Sequence, residues 1–227
     1  MADALPLFPL GHTVLFPGVV LPLHVFEERY RELIGSLVDQ PEGVTRRFGV
    51  VAIRQGWEVG AEAAEALYEV GCAAELRRVS RYPDGRYDIV TVGTERFRLL
   101  EVDRTSQPFL VGSVDWVPGD PPAGPEDAGL AGSVSTLFGE YVLAAAGLQA
   151  QPVEAPELPD DPSELSYLVA AGAVLALEDR QALLELGTAR ARLKAELRLL
   201  KRETTMVKRL RALPVPIAEL QVTQSLS

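Results

Sequence analysis

The sequence predicts an α+β fold: a β-rich first half that curls into a small, partly closed barrel, followed by a helical second half. Three observations carry this expectation. Up to about residue 117, short apolar runs alternate with Gly/Pro turn signals, and only one stretch has helical spacing. Beyond residue 125, apolar residues recur at intervals of three and four. Between the two halves, residues 118–125 read Pro-Gly-Asp-Pro-Pro-Ala-Gly-Pro, which neither propagates a helix nor pairs as a strand. The expected organisation is a β-rich lobe over 1–118, a helical lobe over 126–213 and a loosely held tail over 214–227.

Each element has its own local reason. Leu5-Pro6-Leu7-Phe8 reads as a short first strand, with Pro6 suited to an edge or a strand start. Phe16-Pro17-Gly18 is a turn signal. From Phe26 to Val38 the apolar residues Phe26, Tyr30, Leu33, Ile34, Leu37 and Val38 mark the one helix of this half. Phe48 to Ile53 is a buried strand, and residues 56–66 form a loop around Trp57. Val70 to Tyr82 and Tyr87 to Val92 form a hairpin. In its turn, Pro83 pre-sets φ and Gly85 accepts a positive one. Arg96 to Val102 and Phe109 to Val117 are the last two strands.

In the second half, Leu130, Val134, Leu137, Phe138, Tyr141 and Val142 form one apolar stripe. Four prolines between 152 and 162 mark a helix–helix connection. Asp161-Pro162-Ser163-Glu164 then starts a helix: Asp161 caps, Pro162 takes the first helical position and Glu164 the third. That helix is expected to run to about Leu177. A longer amphipathic helix is expected from Arg180 to Arg211, ended by Pro214 and Pro216.

Composition excludes several functions. At 47% apolar and 24% charged residues the chain is ordinary globular protein, not a disordered segment. A lone cysteine, Cys72, makes neither an internal disulfide nor a cysteine zinc site, and two histidines leave little for a metal centre. No apolar run is long enough to span a bilayer, and Met1-Ala2-Asp3-Ala4 does not open a signal peptide. A cytoplasmic protein with no membrane and no cofactor is expected. A net charge of −10 makes the chain a poor nucleic-acid binder. The charge is uneven, because residues 190–211 carry nine Lys/Arg against two acids. The favoured reading of that stretch is the solvated face of a helix attracted to the acidic body; the alternative is an interface for a partner.

Chemistry is sparse. There is no phosphate loop, no dinucleotide fingerprint, no His-Glu-x-x-His and no Gly-x-Ser-x-Gly. His12 and His24 are expected to be partly buried histidines bonded to backbone, not triad members. Cys72 sits among small residues mid-strand and is expected in the core. The segment Leu15 to Pro22 is almost entirely apolar yet contains three structure breakers. Its side chains either line a groove or plug the bottom of the barrel, and both readings stay open.

The order of motifs carries a resemblance. Leu5-Pro6-Leu7-Phe8-Pro9-Leu10, Val14-Leu15-Phe16-Pro17-Gly18 and Leu21 to Tyr30 resemble the opening of the Lon-protease N-terminal domain. Phe48-Gly49-Val50-Val51, Val70-Gly71-Cys72-Ala73, Asp84-Gly85-Arg86 and Val92 to Phe97 follow in that family's order, although Thr is more usual where Cys72 stands. Asp161 to Leu165, Asp179 to Glu185, Arg192-Leu193 and Leu199 to Glu203 extend the resemblance over roughly residues 4 to 211.

The resemblance implies a PUA-like pseudo-β-barrel lobe, then an α-helical lobe ending in a long helix. It implies a polypeptide-binding module for unfolded or degron-bearing segments, with a protease or adaptor as a further partner. The chain is expected to be a monomer or weak homodimer. In Lon proteases, ATPase and Ser-Lys protease domains follow this region; here the sequence ends at Ser227, so a non-catalytic chain is expected. PUA-like barrels also serve RNA elsewhere, but the acidic body argues against that use. Phe16, Val19, Val20 and Trp57 are the candidate polypeptide contacts. The alternative function is a scaffold or regulator that binds one folded partner through the basic helix.

Overall fold

The structure is a computed structural model and describes residues 2–55, 66–149 and 157–212. Seven strands and five helices follow in the order β1 (Asp3–Leu10), β2 (Val20–Val25), α1 (Glu28–Val38), β3 (Arg47–Gln55), β4 (Ala66–Leu67), β5 (Val70–Arg81), β6 (Tyr87–Asp103), β7 (Val111–Trp116), α2 (Pro125–Gln149), α3 (Pro162–Gly172), α4 (Leu177–Glu185) and α5 (Ala189–Ala212). Trp57 and the loop expected around it lie outside the described residues.

The sheet closes on itself. Its order is β1-β7-β6-β5-β3, and β1 returns to pair in parallel with β3. β1 accomplishes this by changing partners along its length: Asp3 to Pro6 pair with β7, and Leu7 to Leu10 with β3. β2 lies outside this ring beside the first half of β6, and β4 beside β3.

Strand periodicity then sorts side chains between two clusters. Phe48 and Val50 of β3 point to one side, where Phe8, Cys72, Ile89 and the buried face of α1 pack. Val51 points to the other, with Leu5, Leu7, Phe97 and Val114. Cys72 is a fully buried core residue, as expected, and burial pushes its thiol up to about 12.

Four boundaries differ from expectation. The two strands read as Tyr87–Val92 and Arg96–Val102 are one 17-residue strand. The pairing continues past Gly93 because a register shift between Cys72 and Ala74 of β5 absorbs the irregularity, and Thr94 Oγ1 donates to the Ala73 carbonyl at 3.2 Å. β2 was hidden by Pro22, which is tolerated because the strand has only β6 as a partner among the described residues. α3 ends at Gly172, short of Leu177.

The expected long helix from Arg180 is two helices. α4 stops at Glu185, and α5 begins after Gly187-Thr188, where Thr188 Oγ1 accepts the Ala191 N–H at 3.2 Å. Arg96 receives the freed carbonyls at the end of α4, donating from Nη1 to Leu184 O (3.0 Å) and Leu186 O (2.5 Å).

Three features join the β-rich and helical halves. The first is an apolar seam: Val14, Phe16, Ala52 and Val70 pack against Tyr167, Ala170, Leu183 and Leu184. The second is a buried ionic cluster. Asp120, from the Pro/Gly stretch, pairs with Arg192 of α5 and with Arg96 of β6 at 3.4 Å. The third is Gln181 of α4, whose Nε2 donates to the Val70 carbonyl at 3.0 Å. Arg192 is wholly buried, and its Nε also donates to Ser166 Oγ at 2.9 Å. Such a cluster is expensive to desolvate but geometrically demanding, so it sets how the helices meet the barrel.

Candidate functional site

A cavity of about 1010 Å³ lies along this junction. That volume is at the top of the roughly 300–1,000 Å³ range of pockets that enclose a ligand. One wall is the loop Pro17-Gly18-Val19 with Val20 at the start of β2; the other comes from Phe138 and Val142 of α2 and Glu164, Tyr167, Leu168, Ala171 and Gly172 of α3. Apolar atoms dominate the lining, and the polar side chains are Ser163, Glu164 and Tyr167.

The loop wall is pinned by backbone. Gly18 adopts φ +77°, which an L side chain rarely takes. Gly18 N donates to the Gly93 carbonyl at 2.8 Å, and Gly93 N to the Val19 carbonyl at 2.9 Å. Gly93 itself lies so close to the Phe16 carbonyl that a Cβ there would collide with it.

The helix wall is set by its cap. Asp161 Oδ1 accepts the N–H groups of Ser163 and Glu164, both at 2.9 Å, as the Asp-Pro-Ser-Glu pattern predicts. One turn after Glu164 comes Leu168, on the same face and likewise exposed.

Tyr167 lies at the centre. Its ring packs under the Arg192 guanidinium, 3.9 Å from the centroid, and 6.3 Å from the Phe16 ring. The residue is 7% exposed, and burial raises its phenol above the ordinary range, opposed by the charges of Arg192 and Arg96. Its hydroxyl has no hydrogen-bond partner among the described residues. A smaller cavity of about 490 Å³ shares Pro17, Ser163 and Tyr167 with the large one and continues toward Trp116 and Glu95.

Of the four candidates, Val19 and Val20 line the cavity, and Val20 is 58% exposed. Phe16 does not fit its expected role as a contact. It is fully buried, because its ring fills the seam against Tyr167, so it positions the loop from behind. Trp57 lies outside the described residues. The helical contributors went unread: Phe138, Val142, Tyr167 and Leu168. A signal existed in Tyr167-Leu168-Val169-Ala170-Ala171, which is apolar on every side of the helix and so leaves Leu168 over once the core is filled.

Other candidates resolve differently. His24 and His12 are exposed rather than partly buried, and His24 Nδ1 meets Asp88 Oδ1 at 2.6 Å instead of a backbone group. Asp88 also accepts from the Tyr82 hydroxyl at 2.5 Å. Basic residues of α5 find acids within the chain: Arg190 reaches Asp127 (2.6 Å) and Glu126 (2.9 Å), and Arg202 reaches Asp179 (2.6 Å). Among the described residues, no group of three His, Cys, Asp or Glu side chains could hold a metal ion, and no helix is long and apolar enough to cross a membrane.

A closed small barrel docked through a charged seam onto a helical layer, with an apolar groove along the junction, defines a binding module of the Lon N-terminal type. The chain belongs to the family described as the ATP-dependent protease La (LON) substrate-binding domain, whose model matches residues 4–202. It is 32% identical over 207 residues to Lon protease 2 of Myxococcus xanthus, covering 91% of this chain and 24% of that protein. It is also 32% identical over 205 residues to the Lon protease of Anaeromyxobacter dehalogenans, covering 90% and 24%. The chain thus spans about a quarter of the length of these relatives.

Two solved structures share the fold. One is the Lon N-terminal domain protein from Xanthomonas campestris, with TM-score 0.59 and 25% identity over 86% of this chain and 98% of that one. The other is the N-terminal domain of the Mycobacterium avium complex Lon protease, with TM-score 0.61 and 18% identity over 89% and 98%, a likeness of fold alone.

Proposed function

We propose that the chain is a non-catalytic recognition module that holds extended apolar segments of unfolded or degron-bearing proteins in the groove between Pro17–Val20 and the α2/α3 face. The observation that carries this reading is the groove itself: an open, largely apolar cavity with Val20 and Leu168 exposed on opposite walls. Exposed apolar surface of this kind is what an unfolded chain can bury against. The family description, a substrate-binding domain of an ATP-dependent protease, supports the same reading. Main-chain pairing along the side of β2 away from β6, which has no strand partner among the described residues, would add little, because Pro22 has no N–H to offer an added strand.

Fluorescence anisotropy of a labelled, permanently unfolded polypeptide tests the proposal. Binding is expected to saturate and to survive high salt, because apolar burial drives it. Val20→Asp and Leu168→Asp, both at exposed positions, should each weaken it by about tenfold or more, the cost of losing a buried aliphatic contact. Unchanged affinity in both variants would overturn the assignment.

A further inference from the structure

The apolar surface of the groove does not end at Val20. Exposure alternates along β2: Val20, Pro22 and His24 are exposed, Leu21 and Leu23 are half-buried, and Val25 is buried. Residues directly opposite on paired strands share a face, so Val92, Val90 and Asp88 of β6 lie beside Val20, Pro22 and His24. These three are half-buried, while Tyr87, Ile89 and Thr91, which alternate with them, are buried. Val20, Val92, Pro22 and Val90 therefore form an apolar strip on the outer face of the sheet, and its first member is also a wall of the groove.

The strip leads to a cluster of rings held in place by hydrogen bonds. His24 Nδ1 and the Tyr82 hydroxyl donate to the two carboxylate oxygens of Asp88, at 2.6 and 2.5 Å. Arg86 Nη1 lies 3.4 Å from His24 Nε2. A guanidinium only donates, so Nε2 accepts and the ring proton sits on Nδ1, toward Asp88. The Tyr82 ring stands edge-on to His24, at 66°, and the Phe26 ring lies closer to parallel with it, at 26°. Phe26 is 54% exposed and Tyr82 39%. Rings that are already fixed offer apolar area at little cost in ordering, which is the property of a binding anchor.

We propose that this face continues the polypeptide track of the groove: one extended segment fills the cavity at Val20, runs over Pro22 and Val90, and sets an aromatic or large aliphatic residue against Phe26 and Tyr82. The inference rests on the polypeptide-binding reading above and extends it to a second subsite. Continuity argues for one occupant at both places, since Val20 belongs to each. The contact is made face-on by side chains, so the missing N–H of Pro22 does not oppose it. At about 3.4 Å per residue, β2 covers roughly 17 Å from Val20 to Val25, so a client needs about six residues beyond those in the groove to reach the rings. Covering about 60 Å² of further apolar surface at roughly 25 cal/mol per Å² corresponds to about tenfold in affinity.

The test uses labelled peptides, with anisotropy read against the whole chain at high salt. One peptide is a short Leu/Val core. Two others carry the same core extended by a Ser/Thr spacer and a terminal Phe, on the N-terminal side in one and on the C-terminal side in the other. One extended peptide, and only one, should bind about tenfold more tightly than the core, because the strip leaves the groove in a single direction. The Phe26→Ser, Tyr82→Ser double variant should bind the core as the wild type does and lose this gain. Both positions are exposed, and the melting temperature verifies the fold.

Equal affinity of the core and both extended peptides would overturn the second subsite while leaving the groove standing. An equal gain from either extension, or a gain that survives in the double variant, would overturn its placement at these rings. Sedimentation of the wild type and the double variant checks the other occupant: a dimer that the variant dissociates would assign the rings to a second copy of the chain and overturn the proposal. If the core peptide itself does not bind, the groove reading fails and this inference with it.

Discussion

Glu196 of α5 offers a sharp test of how the helical layer is built. It is 1% exposed, and neither carboxylate oxygen has a hydrogen-bond partner. Burial pushes its pKa from 4.5 up to about 8, against a smaller opposing pull from Arg192, whose own bonds go to Asp120, Ser163, Ser166 and Leu186. The folded protein therefore holds this proton more tightly than the unfolded chain does. The stabilisation from this group is fully present below about pH 4.5, is lost as pH rises through the interval up to about pH 8, and changes no further above it.

At 1.36 kcal/mol per pH unit, ionisation costs about 3 kcal/mol at pH 7 and about 5 kcal/mol above pH 8. Glu196→Gln removes the titration and keeps the side chain's size. Urea denaturation of the wild type and the variant at pH 5, 7 and 8.5 reads the difference directly. The two should be nearly equal at pH 5, with the variant ahead by about 3 kcal/mol at pH 7 and more at pH 8.5. Parallel stability curves across this range would refute the reasoning, because they would mean that Glu196 titrates alike in the folded and unfolded states.

Three other outcomes follow from the packing. Gly93→Ala should destabilise the fold by about 2 kcal/mol or more and abolish polypeptide binding, because its Cβ displaces the Phe16 carbonyl and with it the loop wall. Denaturation and anisotropy on the same sample check both effects. Arg192→Met should cost roughly 3–5 kcal/mol in denaturant titrations, since it leaves the Asp120 carboxylate in the seam with one cation only, the longer Arg96 contact, beside the Ser163 hydroxyl. Cys72 should resist a thiol reagent at pH 8 in the native protein and react stoichiometrically in denaturant, given its burial and a thiol pushed up to about 12.

Local chemistry made much of this protein legible in its sequence. Strand and helix periods placed α1, β3, β5 and α2, because each buries one face and that face repeats at the period of its backbone. Asp161-Pro162-Ser163-Glu164 specified a helix start, since the cap is satisfied by atoms two and three residues away. The turn at Pro83–Gly85 was readable for the same reason, and Gly85 has φ +84°. Half of the groove was readable too: Val19 and Val20 stood out as apolar residues in a segment that regular structure could not absorb.

What escaped the sequence depends on partners far along the chain. Pro22 reads as a breaker until β6 pairs with one side of β2, its one strand partner among the described residues. The α4–α5 break is held open by Arg96, about ninety residues away, whose guanidinium takes the carbonyls that a continuous helix would have used. Phe16 reads as a groove residue and is seam, because Tyr167 fills the space beside it. The groove's second wall, Glu164 included, meets Val20 only once Asp120, Arg96 and Arg192 have fixed how the helices dock on the barrel. Local backbone and side-chain physics thus determined the elements and one wall of the site. The other wall needed a buried ionic contact between residues that have no reason, in sequence, to know of one another.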